Sequence, residues 1–324
     1  MNVAIIGCGG MGRLHAEMAA NCGLRVVACA DAVRKAASSV ADTHKAKAYE
    51  DPMGAINSKD VDIVVITTPT PTHEKYVKAA AKAGKHIFCE KPFGRSTAEC
   101  RRAIAAADKA GVNLFVGHVV RYFHEFEAMK AQVDDGVIGD AGWLKIYRGG
   151  IFPGDPKSWF RDYAQSGGVT FDCMIHDLDW ARYTFGEPER IFCQTLMRKN
   201  PTQLDYSQVT MRMKNGVIAT IIGTWAHPSG FRVKAEICGS EGMIQFDSAD
   251  APLSAEARET AAGPTMIVPM SPVAKSPYQH EWEEFVAWIE GRGKPRVTAA
   301  DAMRAVEMAE AALKSAAKRQ PVTV

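Results

Sequence analysis

The sequence predicts an α/β first domain built on a doubly wound parallel sheet, followed by a second domain dominated by an antiparallel sheet. Three observations predict it. Apolar runs alternate with helical stretches through the first third of the chain, short strand-like runs with hairpin-sized turns fill the later part, and the rhythm changes after Gly117. A length of 324 residues suits two domains, set here as 1–118 and 119–324, with the closing helix free to pack back on the first.

The apolar runs of the first domain are residues 3–6, 25–30, 63–67, 86–89 and 112–117. Between them, stretches 13–21, 72–83 and 96–110 are rich in alanine and repeat apolar residues every three or four positions. Continuous apolar strands alternating with helices imply a parallel sheet covered on both faces. In the second domain the pattern predicts a helix over 124–134, a turn over 136–142 and a strand over 143–149. Further strands are predicted over 189–197, 207–213, 217–225, 231–239 and 242–246, with Lys214-Asn215-Gly216 as a tight turn. One long helix is expected over 168–184, loop or edge structure over 249–277, and two closing helices over 280–290 and 298–314. The basic end, 314–319, reads as a solvated helix terminus.

Composition narrows the function. A formal charge of +2 is too small to attract a polyanion, so no nucleic-acid partner is expected. Hydrophobic residues make up 47% and charged residues 23%, as in a globular protein, and no apolar run is long enough to span a membrane. Eight cysteines occur without a CxxC pair, which reads as free thiols in a reducing compartment and argues against structural zinc. The amino terminus runs straight into a strand pattern with no basic leader, and a cytoplasmic location is expected.

Gly7-Cys8-Gly9-Gly10-Met11-Gly12 fits GxGxxG between a predicted strand and a predicted helix, the context that gives the pattern meaning. Gly7 permits the turn, Gly9 lets backbone approach a pyrophosphate, and Gly12 lets helix and strand pack closely, while free helix amides face the anion. Asp31 ends the second strand, placed to accept hydrogen bonds from an adenosine ribose. Its carboxylate would repel a 2′-phosphate, which favours NAD over NADP. Arg34 and Lys35, surface charges at a helix start, soften that preference.

Further landmarks are Thr68-Pro69-Thr70-Pro71-Thr72-His73, Glu90-Lys91-Pro92 and Asp172-Cys173-Met174-Ile175-His176. With the opening motif and the closing Glu281-Trp282-Glu283 helix, they resemble the glucose-fructose oxidoreductase, inositol dehydrogenase and MocA family. The resemblance implies a Rossmann domain, an α+β domain with a large open sheet, and nicotinamide-dependent oxidation or reduction of a sugar, cyclitol or similar polyol. It implies that Lys91 lies beside nicotinamide and substrate and that Asp172 and His176 form the catalytic pair. Glu90 and Pro92 would shape the cofactor pocket, with Thr68, Pro69 and His73 near the dinucleotide. His118, Arg121 and Tyr122 resemble the segment beside the substrate, and Trp159, with Arg161 and Tyr278, falls in the more variable parts.

Oxidising a secondary alcohol removes a hydride from carbon and a proton from oxygen, so a base must stand near the cofactor. Asp172 and His176 are four residues apart on the predicted helix and share one face. His176 is the base in this reading, because an imidazole accepts a proton near neutral pH without a large shift. Asp172 holds a substrate hydroxyl or orients the imidazole, and Lys91 hydrogen-bonds the oxygen as charge develops. Lys91 is the base instead if burial lowers its pKa. Asp177 and Asp179 project from other helix faces, with solvent or capping roles, and with His176 they are spread too widely for a metal, so no metal site is expected.

Trp225, Trp282 and Trp288 read as core or interface aromatics. An open sheet exposes apolar surface that a second subunit covers, so a homodimer or homotetramer is expected. Two other function classes stay open: a glycosidase using tightly held NAD for transient oxidation, and a non-catalytic nucleotide-binding sensor. Substrate identity depends on loops around 118–124, 150–165 and 227–230.

Overall fold

The structure, a computed structural model, describes residues 1–153, 158–196, 206–228, 230–250 and 275–324. Most of the segment expected as loop or edge, 249–277, lies outside these residues, as do parts of the 150–165 and 227–230 loops and the end of the strand expected over 189–197. The chain divides into two compact units, Met1–Tyr122 with Pro277–Val306, and Phe123–Ser276 with Glu307–Val324.

The first unit begins with β1 (Asn2–Ile6), α1 (Gly10–Asn21), β2 (Arg25–Ala30), α2 (Arg34–His44), β3 (Lys47–Tyr49) and α3 (Pro52–Ile56). It continues through β4 (Ile63–Ile66), α4 (His73–Lys82), β5 (His86–Glu90), α5 (Thr97–Ala110) and β6 (Leu114–Gly117). The six strands form a parallel sheet in the order β3-β2-β1-β4-β5-β6, with the topological switch between β1 and β4. Every residue of β4 and β6 is buried, and so are Val3 to Ile6 of β1, as uninterrupted apolar runs require. Strand β3 has no such run: Lys47 and Ala48 are exposed, so hydropathy does not announce it. Helix α5 follows its local signals, with Ser96 accepting from the Glu99 amide at 3.2 Å and Gly111 closing it at a φ of 66°.

The second unit holds α6 (His124–Asp134), β7 (Ala141–Gly149), α7 (Tyr163–Ser166), α8 (Gly168–Asp172), α9 (Ile175–Phe185), β8 (Pro188–Leu196), β9 (Tyr206–Met213), β10 (Ile218–Thr224), β11 (Arg232–Gly239) and β12 (Met243–Asp247). The chain closes with α10 (Pro277–Ile289), α11 (Ala299–Lys318) and β13 (Val322–Thr323). The second sheet runs β12-β11-β7-β10-β9-β8-β13. Its pairings are antiparallel except β7 with β10, so it is mixed rather than a plain meander. Leu144, Ile146, Val209, Met211, Ala219 and Ile221 are buried on one face. Trp143, Tyr147 and Ile222 on the other face are only partly covered, and Tyr206 and Ile218 are exposed. The Lys214-Asn215-Gly216 turn is present, with Gly216 at a φ of 97°.

The long helix expected over 168–184 is two helices. The amides of Cys173 and Met174 both bond to the Val169 carbonyl at 3.0 Å, and those of Asp177 and Leu178 both bond to the Met174 carbonyl at 3.0 Å. The ladder therefore stops and restarts at Met174, which periodicity does not reveal.

Helix α10 belongs to the first unit. Trp282 stacks on Phe88 of β5 at 5.0 Å, and Phe285 meets Phe115 of β6 at 5.5 Å. Each such fully buried aromatic contributes about 1.5–3 kcal/mol. Helix α11 passes from one unit to the other at Val306 and Glu307. Trp225 is also buried, at an edge contact with Phe152, and Trp288 is partly buried against Phe285. No described helix is long and apolar enough to cross a membrane.

Candidate functional site

The glycine loop joins β1 to α1 at the carboxyl end of the first sheet. Gly7 has a φ of 97°, and a β-carbon there would sit 2.7 Å from the Thr67 carbonyl carbon. A β-carbon at Gly12 would collide with the Gly7 carbonyl oxygen. Gly9 and Gly10 differ, because a β-carbon on either would meet nothing within 4 Å. They border open space, and α1 starts at Gly10 with no side chain capping its amides; Met11 in that first turn is half-buried. Unsatisfied amides around a concavity kept clear of side chains fit a pyrophosphate.

Asp31 is held at the end of β2 by the glycine loop and its own: one carboxylate oxygen accepts from the Cys8 amide and the other from the Val33 amide, each at 2.7 Å. A carboxylate offers about four acceptor positions, so two stay available to ribose hydroxyls. Arg34 is paired with Glu50 at 2.9 Å, both highly exposed.

The loops after β4 and β5 are clasped together. The His73 ring, fully buried, places Nδ1 2.9 Å from the Pro92 carbonyl and Nε2 2.8 Å from the Thr68 carbonyl. Burial pushes its pKa below the usual histidine value. Thr72 donates its hydroxyl to the Pro69 carbonyl at 2.7 Å and accepts from the Thr68 hydroxyl at 2.7 Å. Lys91, half-buried, is joined to Pro92 by a cis peptide bond. Its amide donates to Glu90 Oε2 at 2.9 Å.

Glu90 Oε1 is 2.7 Å from His15 Nε2, and Trp282 Nε1 donates to His15 Nδ1 at 3.1 Å. Indole nitrogen only donates, so the His15 proton sits on Nε2 and is given to Glu90. Burial pushes the Glu90 carboxyl up, but the His15 bond and the Lys91 charge outweigh it and leave it below the usual range. Sequence reading missed His15, whose one signal is its place on α1 just after the glycine loop. Glu281 of α10 is fully buried, and neither oxygen has a hydrogen-bond partner among the described residues. Burial, with Glu90 and Glu284 nearby, pushes its pKa well above the usual carboxylate range.

His118, Arg121 and Tyr122 are all buried. Arg121 donates to the Arg296 carbonyl at 2.7 Å. Tyr122 gives its hydroxyl to Glu284, with the Arg296 guanidinium 4.2 Å over its ring. Arg121 and Tyr122 thus tie the 118–122 segment to α10 and the chain after it. Those partners lie far away in sequence.

In the second unit Asp172 is the last residue of α8 and His176 lies in the first turn of α9, both half-buried. They flank the helix break rather than sharing one uninterrupted face. Asp177 and Asp179 are buried, so of the solvent or capping roles expected for them the solvent role is overturned. Asp177 accepts two bonds from Arg148 of β7, from Nε at 2.8 Å and from Nη2 at 2.6 Å. Burial leaves the Asp177 carboxyl above its usual pKa, the guanidinium offsetting only part of that rise; the two-pronged bond marks it as a carboxylate. Trp159 stacks on Phe160 at 4.2 Å and is half-buried.

Comparison with known proteins agrees with this fold. Residues 1–118 match a family model described as an oxidoreductase family with an NAD-binding Rossmann fold, and residues 126–245 match the GFO/IDH/MocA C-terminal domain. The chain is 30% identical to the myo-inositol 2-dehydrogenase of Thermotoga maritima, over 99% of this chain and 98% of that protein. A myo-inositol dehydrogenase from Corynebacterium glutamicum superposes with a TM-score of 0.82 at 26% identity, over 100% of this chain and 98% of the other. The NAD complex of GenD2, from gentamicin A biosynthesis, superposes at 0.88 and 25% identity, over 100% and 96%. The glycine loop, the two matched domains and likeness along the whole length identify the chain as a member of the GFO/IDH/MocA oxidoreductase family, with NAD as its cofactor.

Proposed function

We propose that this oxidoreductase is an NAD-dependent dehydrogenase of a secondary alcohol on an inositol-like cyclitol or related sugar. The observation that carries this reading is end-to-end similarity to a myo-inositol 2-dehydrogenase in a chain that carries Lys91, Asp172 and His176. Bound NAD supplies the hydride acceptor. His176 takes the hydroxyl proton, Asp172 orients the ring or holds a neighbouring hydroxyl, and Lys91 donates a hydrogen bond to the oxygen as negative charge grows on it. Glu90, fixed by His15, holds the Lys91 amide. Asp31 selects NAD over NADP by placing a carboxylate where a 2′-phosphate would fall.

The test is an NADH-formation screen over inositols, aldoses, uronic acids and glycosides, run in parallel with NADP. Net NADH from a cyclitol or sugar is expected. Glycoside cleavage without net NADH identifies transient oxidation, and no turnover with any member favours a sensor. With a substrate in hand, Lys91→Met, Asp172→Asn and His176→Ala are each expected to lower kcat severely while leaving NAD binding intact; near wild-type kcat in all three removes the mechanism.

The chain is also proposed to form a homodimer or homotetramer through the outer face of the second sheet, where Tyr206, Ile218 and Met243 are exposed. A monomeric mass by light scattering at micromolar concentration overturns that. A cytoplasmic location is proposed on the eight free thiols.

A further inference from the structure

The break between α8 and α9 decides how Asp172 and His176 stand relative to one another, and two contacts from the sheet hold that break. Gly223 of β10 and Arg148 of β7 are direct register partners on the parallel pair. Gly223 receives Met174, the residue at which the helix ladder restarts. A β-carbon at 223 would lie 2.5 Å from the Met174 sulfur and 3.4 Å from a Val169 methyl. Met174 is itself fully buried, so its side chain has no free space into which to withdraw. Arg148 receives Asp177, the neighbour of His176, through the two bonds at 2.8 and 2.6 Å. Its guanidinium also lies 5.9 Å from the Phe126 ring centre and 5.7 Å from that of Phe231.

We propose that Gly223 and Arg148 form a two-point seat whose function is to set the spacing and facing of Asp172 and His176. Both are positioning residues, and the proposal rests on the reading of Asp172 and His176 given above. A buried ion pair adds little net stability compared with apolar side chains of similar volume. What the guanidinium fork supplies is direction, because it accepts a carboxylate in one plane and so fixes the first turn of α9. The absent side chain at 223 supplies the other half, a slot that only a backbone without a β-carbon leaves for Met174.

The experiment uses the full chain with NAD and has two readouts: the Cε1–Hε1 NMR cross-peak of His176, assigned by its loss in His176→Ala, and NADH formation from myo-inositol. In Gly223→Ala the His176 cross-peak is expected to move while those of His15 and His73 stay. Turnover falls at least tenfold with the KM for NAD within twofold of wild type. Met174→Ala on that background, which reopens the slot, returns the cross-peak and recovers part of the rate, and Met174→Ala alone is the control. Arg148→Met moves the same cross-peak. A folded Gly223→Ala protein with the His176 cross-peak unmoved overturns the proposal, whether or not Arg148→Met folds. If the cross-peak moves but NADH formation is unchanged both there and in His176→Ala, the seat stands and the catalytic role of His176 fails.

Discussion

Asp31 and Asp177 are both aspartates at the edge of a site, and they are held by different kinds of partner. Asp31 accepts from the amides of Cys8 and Val33, main-chain groups of its own loop and the neighbouring glycine loop. Asp177 accepts from the guanidinium of Arg148 on a strand in the middle of the other sheet. The same contrast runs through each unit. At the dinucleotide end, glycines clear space and carboxylates bind amides, so the requirement falls on residue type at single positions. Around α8 and α9 the requirement falls on pairs, Arg148 with Asp177 and Gly223 with Met174, and neither member has meaning without the other.

The largest effect that tests this contrast is expected from Asp177→Asn, which leaves a buried guanidinium without its charge partner. A loss of about 3–5 kcal/mol in denaturant unfolding is expected, and Arg148→Met with Asp177→Leu together should recover most of it. Equal losses in the single and double variants would mean that the pair contributes net stability rather than geometry. Gly12→Ala comes next. Its β-carbon meets the Gly7 carbonyl, so NAD should bind roughly 100-fold more weakly by calorimetry, about 2.8 kcal/mol. Affinity within threefold of wild type would show that the loop has slack.

Asp31→Ser should weaken NAD by roughly tenfold, about 1.4 kcal/mol, and narrow the NAD-to-NADP ratio of kcat/KM. A ratio unchanged from wild type would remove Asp31 from cofactor choice. Glu281→Gln gives a smaller effect that depends on pH. The folded-state pKa of Glu281 is raised by burial and by Glu90 and Glu284, against the opposing charge of Arg296. Its contribution is therefore fully present below the unfolded carboxylate pKa of about 4.3 and is lost as pH rises toward the folded value. Glutamine carries no such proton, so the urea midpoint of Glu281→Gln relative to wild type should rise between about pH 5 and about pH 8; a flat difference would mean that the native fold does not hold the Glu281 proton beyond the pH at which the unfolded chain releases it. Smallest of all, Arg34→Ala removes an exposed pair with Glu50 and should change stability by less than about 0.5 kcal/mol.

Much of the first unit was legible. Uninterrupted apolar runs mark β1, β2 and β4 to β6, and glycines at 7 and 12 are required by contacts with Thr67 and with the loop itself; in the second unit, the helix expected over 124–134 is α6. Strand β3 was not legible, because three mostly exposed residues carry no run. The break at Met174 was not either, since α8 and α9 together keep a helical period on both sides of it. The partners of Arg121 and Tyr122 were not legible either: Arg121 binds Arg296 at a separation of 175 residues and Tyr122 binds Glu284 at 162.

Hydropathy period, turn chemistry and glycine sterics act over a few residues, and they alone dictated the alternating strands and helices, the phosphate loop and the acidic residue beyond it. Folding decided the burial of Asp177, the slot at Gly223, the engagement of Tyr122 and the return of α10 to the first sheet. These depend on which distant surfaces meet, and a side chain's neighbour across a sheet leaves no mark on the residues beside it in the chain.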